Sequence, residues 1–387
     1  MMMKRLSPIM TAVFAAGFLI TLFPAASSAQ VGITAVPFMQ IEPDSRTPGM
    51  GNAGAAIADN SSAVFWNPAG LAFQGEESQV SFTYASWLPN FDTDLFYNYL
   101  VGKTYIEGIG NIGGHITYLN LGEQIQTDER GNEIGNFASY ELATGLSYAL
   151  KLSDNFSLGT GFRFIYSRLT PNIEVSGQTA KAGTSVGFDI AGLYRSNEFV
   201  LFDRNTRVSA GFNLSNIGPA IQYTDDAQSD PLPTLLRAGL AYEVALDGAG
   251  FNTLTIAGDV SKVMARQDVE EIIVDQDTTL QVSNMGVGEA LFRSWDTYTR
   301  FDGQNFVDVP LVEQFMYAVG AEYWYNNQFA LRSGYFYEAP NNGDRQFITF
   351  GAGLRYNMFG VDFSYLYTIR EDHPLANTIR LSVLLDF

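Results

Sequence analysis

The sequence predicts an all-β protein: a transmembrane antiparallel β-barrel of about fourteen strands with an N-terminal plug in its lumen. Three observations predict it. Short segments of alternating polarity recur from residue 78 to the end. The connections between them alternate between tight and long. The chain holds 29 Phe and 20 Tyr but only 16% charged residues and no cysteine, which is too aromatic and too weakly charged for an ordinary soluble domain.

The first residues read as an address. Lys4 and Arg5 precede a mostly apolar run over residues 8–26, and Ser27-Ser28-Ala29 offers small residues for cleavage. This predicts a secretory signal peptide over residues 1–29. The run is short for a membrane anchor and no stop-transfer pattern follows. Beyond residue 30 no long unbroken apolar run occurs, so helical spans are not expected.

Residues 30–77 form the predicted plug. Its centre, residues 46–73, reads RTPGMGNAGAAIADNSSAVFWNPAGLAF. Such a small-residue segment buries little apolar surface by itself and needs a wall around it. Gly49-Met50-Gly51-Asn52-Ala53-Gly54 has the spelling of a dinucleotide fingerprint. That mechanism needs a buried strand before the glycines and a helix after them. The preceding Glu42-Pro43-Asp44-Ser45-Arg46-Thr47-Pro48 is no buried strand, so the glycines are read as places of tight bending and close packing. Asn67-Pro68-Ala69-Gly70-Leu71 has turn chemistry. It reads either as a joint into the first strand or as an element touching cargo or ligand.

Residues 78–387 form the predicted barrel. Near the C-terminus Ile379, Leu381, Val383, Leu385 and Phe387 alternate with Arg380, Ser382, Leu384 and Asp386. A period of two with one apolar and one polar face is a half-buried strand. Repeated about fourteen times, from near 78–86 to near 376–387, it suits lipid outside and a polar lumen. Ser153-Asp154, Asn326-Asn327 and Asn357-Met358 are tight turns, whereas 121–137, 170–183, 217–233 and 265–313 are long connections. That parity predicts an outer-membrane barrel with both termini in the periplasm. A soluble β-sandwich requires neither this alternation nor outward aromatics. The terminal Phe387 also fits, since outer-membrane barrels often end on an aromatic residue.

Strand parity turns charges of both signs inward, among them Glu141, Arg163, Asp259, Glu322, Asp362 and Arg380. They are expected to form a lumenal ion-pair network that holds the plug. His115 also faces inward and is expected to be hydrogen-bonded. Two histidines cannot make a multi-His metal centre, and a net charge of −19 argues against nucleic-acid binding. The long connection over 265–313 carries ten acids against three arginines, a net of −7, with Ile272, Ile273, Leu291, Phe292, Trp295, Phe301 and Phe306. Its aromatic content argues against disorder. It is expected to be either a cap over the mouth or a docking loop, with Trp295, Phe301 and Phe306 as anchors and Ile272 and Ile273 beside them. Asp225, Asp226 and Asp230 lack the spacing of a known calcium loop.

The plug motif, comprising Arg46, Gly49, Met50, Gly51, Gly54, Asp59, Trp66, Asn67, Pro68 and Gly70, resembles the opening of the long-chain fatty-acid transporter superfamily. In length and strand layout the chain looks most like the PorV branch of that superfamily, an outer-membrane component of the type IX secretion system. The resemblance implies a non-enzymatic protein without cofactor. It implies binding to an SprA-type translocon barrel and to cargo C-terminal signal domains, with handover to a PorU-type sortase in the attachment complex. The wider superfamily implies an alternative, a channel for hydrophobic compounds such as fatty acids. A lipid-active enzyme would need a nucleophile–base pair, and none stands out in the sequence.

Overall fold

The structure is a computed structural model describing residues 34–387 apart from 91–93, 128–129, 171–172, 176–177, 224–228, 275–276, 302–304 and 371–372. The predicted signal peptide and Asp225 and Asp226 lie outside the described residues.

The main sheet has fifteen strands. One, Phe199–Leu201, pairs only with the start of its successor, which leaves fourteen barrel strands among the described residues. They are β1 (Gln79–Ser86), β2 (Phe96–Ile106), β3 (Gly110–Thr127), β4 (Glu133–Lys151), β5 (Phe156–Arg168), β6 (Gly183–Arg195) and β7 (Arg204–Ile217). They continue with β8 (Leu235–Ala245), β9 (Thr253–Val263), β10 (Phe315–Tyr325), β11 (Phe329–Glu338), β12 (Gln346–Tyr356), β13 (Phe359–Thr368) and β14 (Ile379–Asp386). Each strand pairs antiparallel with its sequence neighbours, and β1 closes on β14 from Gln79↔Asp386 to Ala85↔Arg380. Phe387 and Ser78 exchange two backbone hydrogen bonds of 2.9 and 2.8 Å at that seam. Closure leaves the barrel without a free edge.

The two faces follow the sequence pattern. On β14, Ile379, Leu381 and Val383 are 45%, 46% and 48% exposed, while Arg380 and Ser382 are 2% exposed. This inside-out arrangement is stable against lipid and not against water. Near the long-loop end of β1–β5 the rings of Tyr84, Phe96, Tyr118, Tyr140 and Tyr166 follow one another at 5.8–6.1 Å. Such a belt marks the level of a membrane–water interface. No helix among the described residues is long and apolar enough to cross a membrane; the crossing is made by strands.

One end of the barrel carries tight turns. Asn326 and Asn327 between β10 and β11 have φ of 53° and 52°, as a two-residue hairpin turn requires. The other end carries the long connections, and here the structure corrects one expectation. Residues 121–137 are largely strand, because β3 and β4 stay paired beyond the last partners in β2 and β5, at Asn120 and Tyr140. A register shift after Asn120, with Gly122 at φ 74°, marks where the hairpin leaves the barrel. The long connection between β9 and β10 is also built. It holds the hairpins Gln267–Val274/Asp277–Asn284 and Tyr298–Phe301/Phe306–Val309, with a helix over Val287–Arg293 between them.

Candidate functional site: the plug and the long loops

The plug runs the length of the lumen. Ala35 N–H donates to Pro231 O at 3.0 Å at the long-loop end. Farther along, Ala69 lies against Gly159 and Phe73 lies 5.9 Å from Lys151 Nζ, both near the short-turn end. Short 3-10 turns over Pro37–Gln40, Pro48–Met50 and Pro68–Phe73 and one helical turn over Ala63–Trp66 fold it compactly. The main apolar core lies where it meets the wall, with Phe38, Ile41, Val64 and Leu71 against Tyr97 and Tyr99.

Backbone touches backbone at the glycine run. Gly51 follows the 3-10 turn at φ 65°. A Cβ there would stand 2.5 Å from Tyr335 N. The wall is bare in return. A Cβ on Gly320 would lie 2.1 Å from Met50 O, and one on Gly334 would lie 2.2 Å from Gly51 N. Gly320 and Gly334 are cross-strand partners, so together they form a shallow seat for residues 49–51 (Gly49 itself lies against Gly351). Gly54 leaves room for the Trp66 ring, and Gly70 for Ala58 O.

Polar contacts fix this seating. Gly51 N donates to Thr349 Oγ1 at 2.9 Å, and Gly54 N and Ala55 N both donate to Asp259 Oδ2 at 2.8 Å. Trp66 Nε1 donates to Asp44 Oδ1 at 2.9 Å, and the Arg237 guanidinium lies 4.6 Å from the Trp66 ring centroid. Asn67 Nδ2 reaches Ala55 O at 2.7 Å and Gly192 O at 3.1 Å, while its Oδ1 accepts from Ala69 N at 3.1 Å. Asn67 therefore starts the Pro68–Phe73 turn and ties it to β6.

The charges assemble into a ladder of alternating sign. Asp59 pairs with Arg46, and Arg46 Nη2 meets Glu322 Oε1 at 2.7 Å. Arg332 Nε meets Glu322 Oε2 at 2.6 Å, and its Nη1 meets Asp362 Oδ1 at 2.8 Å. Arg355 Nη2 completes the chain on Asp362 Oδ2 at 2.7 Å. The Trp324 ring covers Arg332 and Arg355 at 5.5 and 5.3 Å. Each interior charge thus has an opposite on both sides, which offsets the desolvation cost of burial. Arg332 was not singled out from the sequence, although its alternation with Ala330 and Gly334 places it on the inner face. A second buried pair, Arg163 with Asp189, is bound to Asn216. His115 departs from expectation: its ring lies 5.9 Å from the Tyr99 ring in a tilted arrangement, and its Nδ1 has no hydrogen-bond partner among the described residues. The bare Gly145 opposite it gives its ring space but no polar partner.

Because residue 45 lies at the plug–wall contact, with Ser45 Oγ 2.8 Å from Ser382 Oγ, a near-isosteric Ser45→Cys tests the seating directly. In the folded, cysteine-free protein this thiol is expected to resist bulky maleimides and to react once the barrel is unfolded. Rapid labelling of the folded protein would contradict a seated plug.

At the long-loop end a cavity of about 390 Å³ lies between the start of the plug and the wall. Phe38, Ile41, Trp87, Leu119 and Leu169 supply apolar lining, and Glu141, Tyr223 and Asp230 supply polar groups. Ser167 Oγ donates to Glu141 Oε1 at 2.7 Å and accepts from Tyr223 O–H at 2.9 Å. Burial pushes the Tyr223 hydroxyl up to about 12, so it remains a donor. The sequence carried no sign of this cavity beyond inward Glu141, since its walls come from segments far apart in the chain.

The long connection is braced internally and tied to the neighbouring loop over 218–234. Arg266 pairs with Asp296 and donates to Arg293 O at 2.9 Å within the connection, and Asn284 Nδ2 reaches Ser229 O in the neighbouring loop at 2.5 Å. Phe292 is 84% exposed, with Trp295 and Phe306 also exposed. Phe292 is more exposed than Trp295 and Phe306. The side chains of Ile272, Ile273 and Phe301 lie outside the described residues. Asp230 accepts from Asn284 Nδ2 at 3.4 Å.

These features define an outer-membrane β-barrel with a lumen filled by its own N-terminal segment. The same fold is seen in the toluene transporter TbuX of Ralstonia pickettii, with TM-score 0.50 and 15% identity over 89% of this chain and 98% of that chain. It is seen again in the toluene transporter TodX of Pseudomonas putida, with TM-score 0.50 and 12% identity over 89% and 97%. At such identities the likeness concerns the fold alone. The family described as type IX secretion system protein PorV matches residues 24–268, and the chain belongs to that family. No curated protein sequence matches significantly.

Proposed function

We propose that this protein is a non-enzymatic docking component of the type IX secretion machinery. In this reading the long loops face the cell exterior, and the tight turns and Phe387 face the periplasm. The chain leaves the inner membrane by a cleaved signal peptide. The long loops bind an SprA-type translocon barrel and cargo C-terminal signal domains, and cargo passes on to a PorU-type sortase complex. The observation that carries the reading, beside family membership, is the pairing of a pinned plug with exposed Phe292, Trp295 and Phe306 on a structured loop. A seated plug suits a partner-binding barrel better than an open conduit. The loop's acidic balance favours basic patches on the partner and faster encounter at low salt.

The test is co-purification from solubilised outer membranes. Phe292→Ala with Trp295→Ala is expected to lower recovery of translocon barrel and cargo at least about tenfold, equivalent to ~1.4 kcal/mol. Both side chains are exposed, so the barrel itself is expected to fold normally. Unchanged recovery would remove the loop from the docking surface. The alternative, a channel for hydrophobic compounds, is favoured by one observation, the apolar cavity at the long-loop end.

A further inference from the structure

We infer that the cavity at the long-loop end is a binding site for a small amphiphile with an apolar body and a cationic, hydrogen-bond-donating head, such as an alkylammonium. The size fits, since about 390 Å³ lies at the lower end of small-molecule pockets. The walls supply the apolar half of the recognition, from Phe38, Ile41, Trp87, Leu119 and Leu169.

The charge arrangement supplies the other half. Elsewhere in this lumen, several buried acids meet arginines, as Glu322 and Asp362 do in the ladder and Asp189 does with Arg163, while Asp44 and Asp259 each accept two or more hydrogen bonds that include backbone N–H donors. Glu141 does neither. It is 3% exposed, it lines the cavity, and its hydrogen bond comes from a neutral hydroxyl, Ser167. Tyr223 fixes that hydroxyl in turn, so the carboxylate is held in place with capacity to accept further donors. Asp230 adds a second acid to the lining, and among the described residues no lysine or arginine lines it. A buried carboxylate without a cation is costly, and a ligand that brings the cation removes the cost. By the same argument a fatty-acid anion is repelled. The site thus selects against the charge carried by fatty acids, and its existence does not depend on the secretion reading.

The test uses the full-length protein in nanodiscs and three radiolabelled probes of equal chain length: octylamine, octanol and octanoate. Octylamine is expected to bind saturably and at least tenfold tighter than octanoate. Glu141→Gln is expected to abolish the amine preference while octanol binding persists, which separates headgroup recognition from loss of fold. Leu119→Trp, which fills the cavity, is expected to remove saturable binding of all three. Equal amine binding by the native chain and Glu141→Gln overturns the inference, as does preference for octanoate or the absence of any saturable binding. Export of cargo, measured in parallel, reports on the secretion reading alone.

Discussion

Replacing residues 270–310 by a short Gly-Ser linker is expected to abolish cargo export while the barrel still assembles. The pairing of β9 with β10 runs from Thr253↔Trp324 to Lys262↔Phe315, wholly outside the replaced segment. Loop length changes closure entropy only slowly, so the swap costs the barrel little. The replaced stretch carries Phe292, Trp295 and Phe306, the exposed aromatics among the described residues of the connection. If each acts as an interface anchor, losing them removes on the order of 4 kcal/mol, or about a thousandfold in affinity. Heat-modifiable migration reports the barrel, and cargo at the cell surface reports export. A folded barrel with normal export would make this connection a cap, and would move the docking surface to 218–234 or to the extended β3–β4 hairpin.

Much of the barrel was legible because its signal is local. Alternation along β13 and β14 separates Val361, Phe363, Leu381 and Val383 from Asp362, Ser364, Arg380 and Ser382, and the structure puts these sets on opposite faces. Lipid outside and a polar lumen leave no other register open, since a one-residue slip would bury the apolar set among charges. The β3–β4 extension was not legible as strand. Leu121 to Thr127 read as a polar connection, and only pairing with its partner strand shows otherwise. Asp59, Arg46 and Glu322 could each be placed inward or in the plug, but their union into one ladder depends on which wall the plug touches. That choice is made by Gly320 and Gly334, whose role appears only when Met50 and Gly51 are seated on them. The cavity was least legible, because the plug, strands β3 and β4, the residues just past β1 and β5 and a distant loop supply its lining.

Unseating the plug is expected to turn a poorly conducting barrel into a steady pore. About fourteen strands enclose a lumen wide enough for solutes once it is empty. What fills it is residues 46–73, held by the Asp59–Arg46–Glu322–Arg332–Asp362–Arg355 ladder and by the glycine seat. Deleting those residues should raise single-channel conductance in planar bilayers by the largest margin. Deletion also strips apolar core from the wall, so a milder variant is needed beside it. Gly334→Leu keeps the whole chain but drives a Cβ to within 2.2 Å of Gly51 N and Met50 C, and backbone there cannot yield without lifting the turn. Glu322→Ala strikes the same joint electrically. It leaves Arg46 and Arg332 without their shared carboxylate, a loss of about 3–5 kcal/mol for a broken buried pair. Gly334→Leu and Glu322→Ala are both expected to show longer or more frequent openings than the native chain, and Ser45→Cys combined with either should become reactive to maleimide. A native protein that already forms a large steady pore, or variants that fold yet stay as closed as the native chain, would show that the ladder and the glycine seat do not hold the lumen shut.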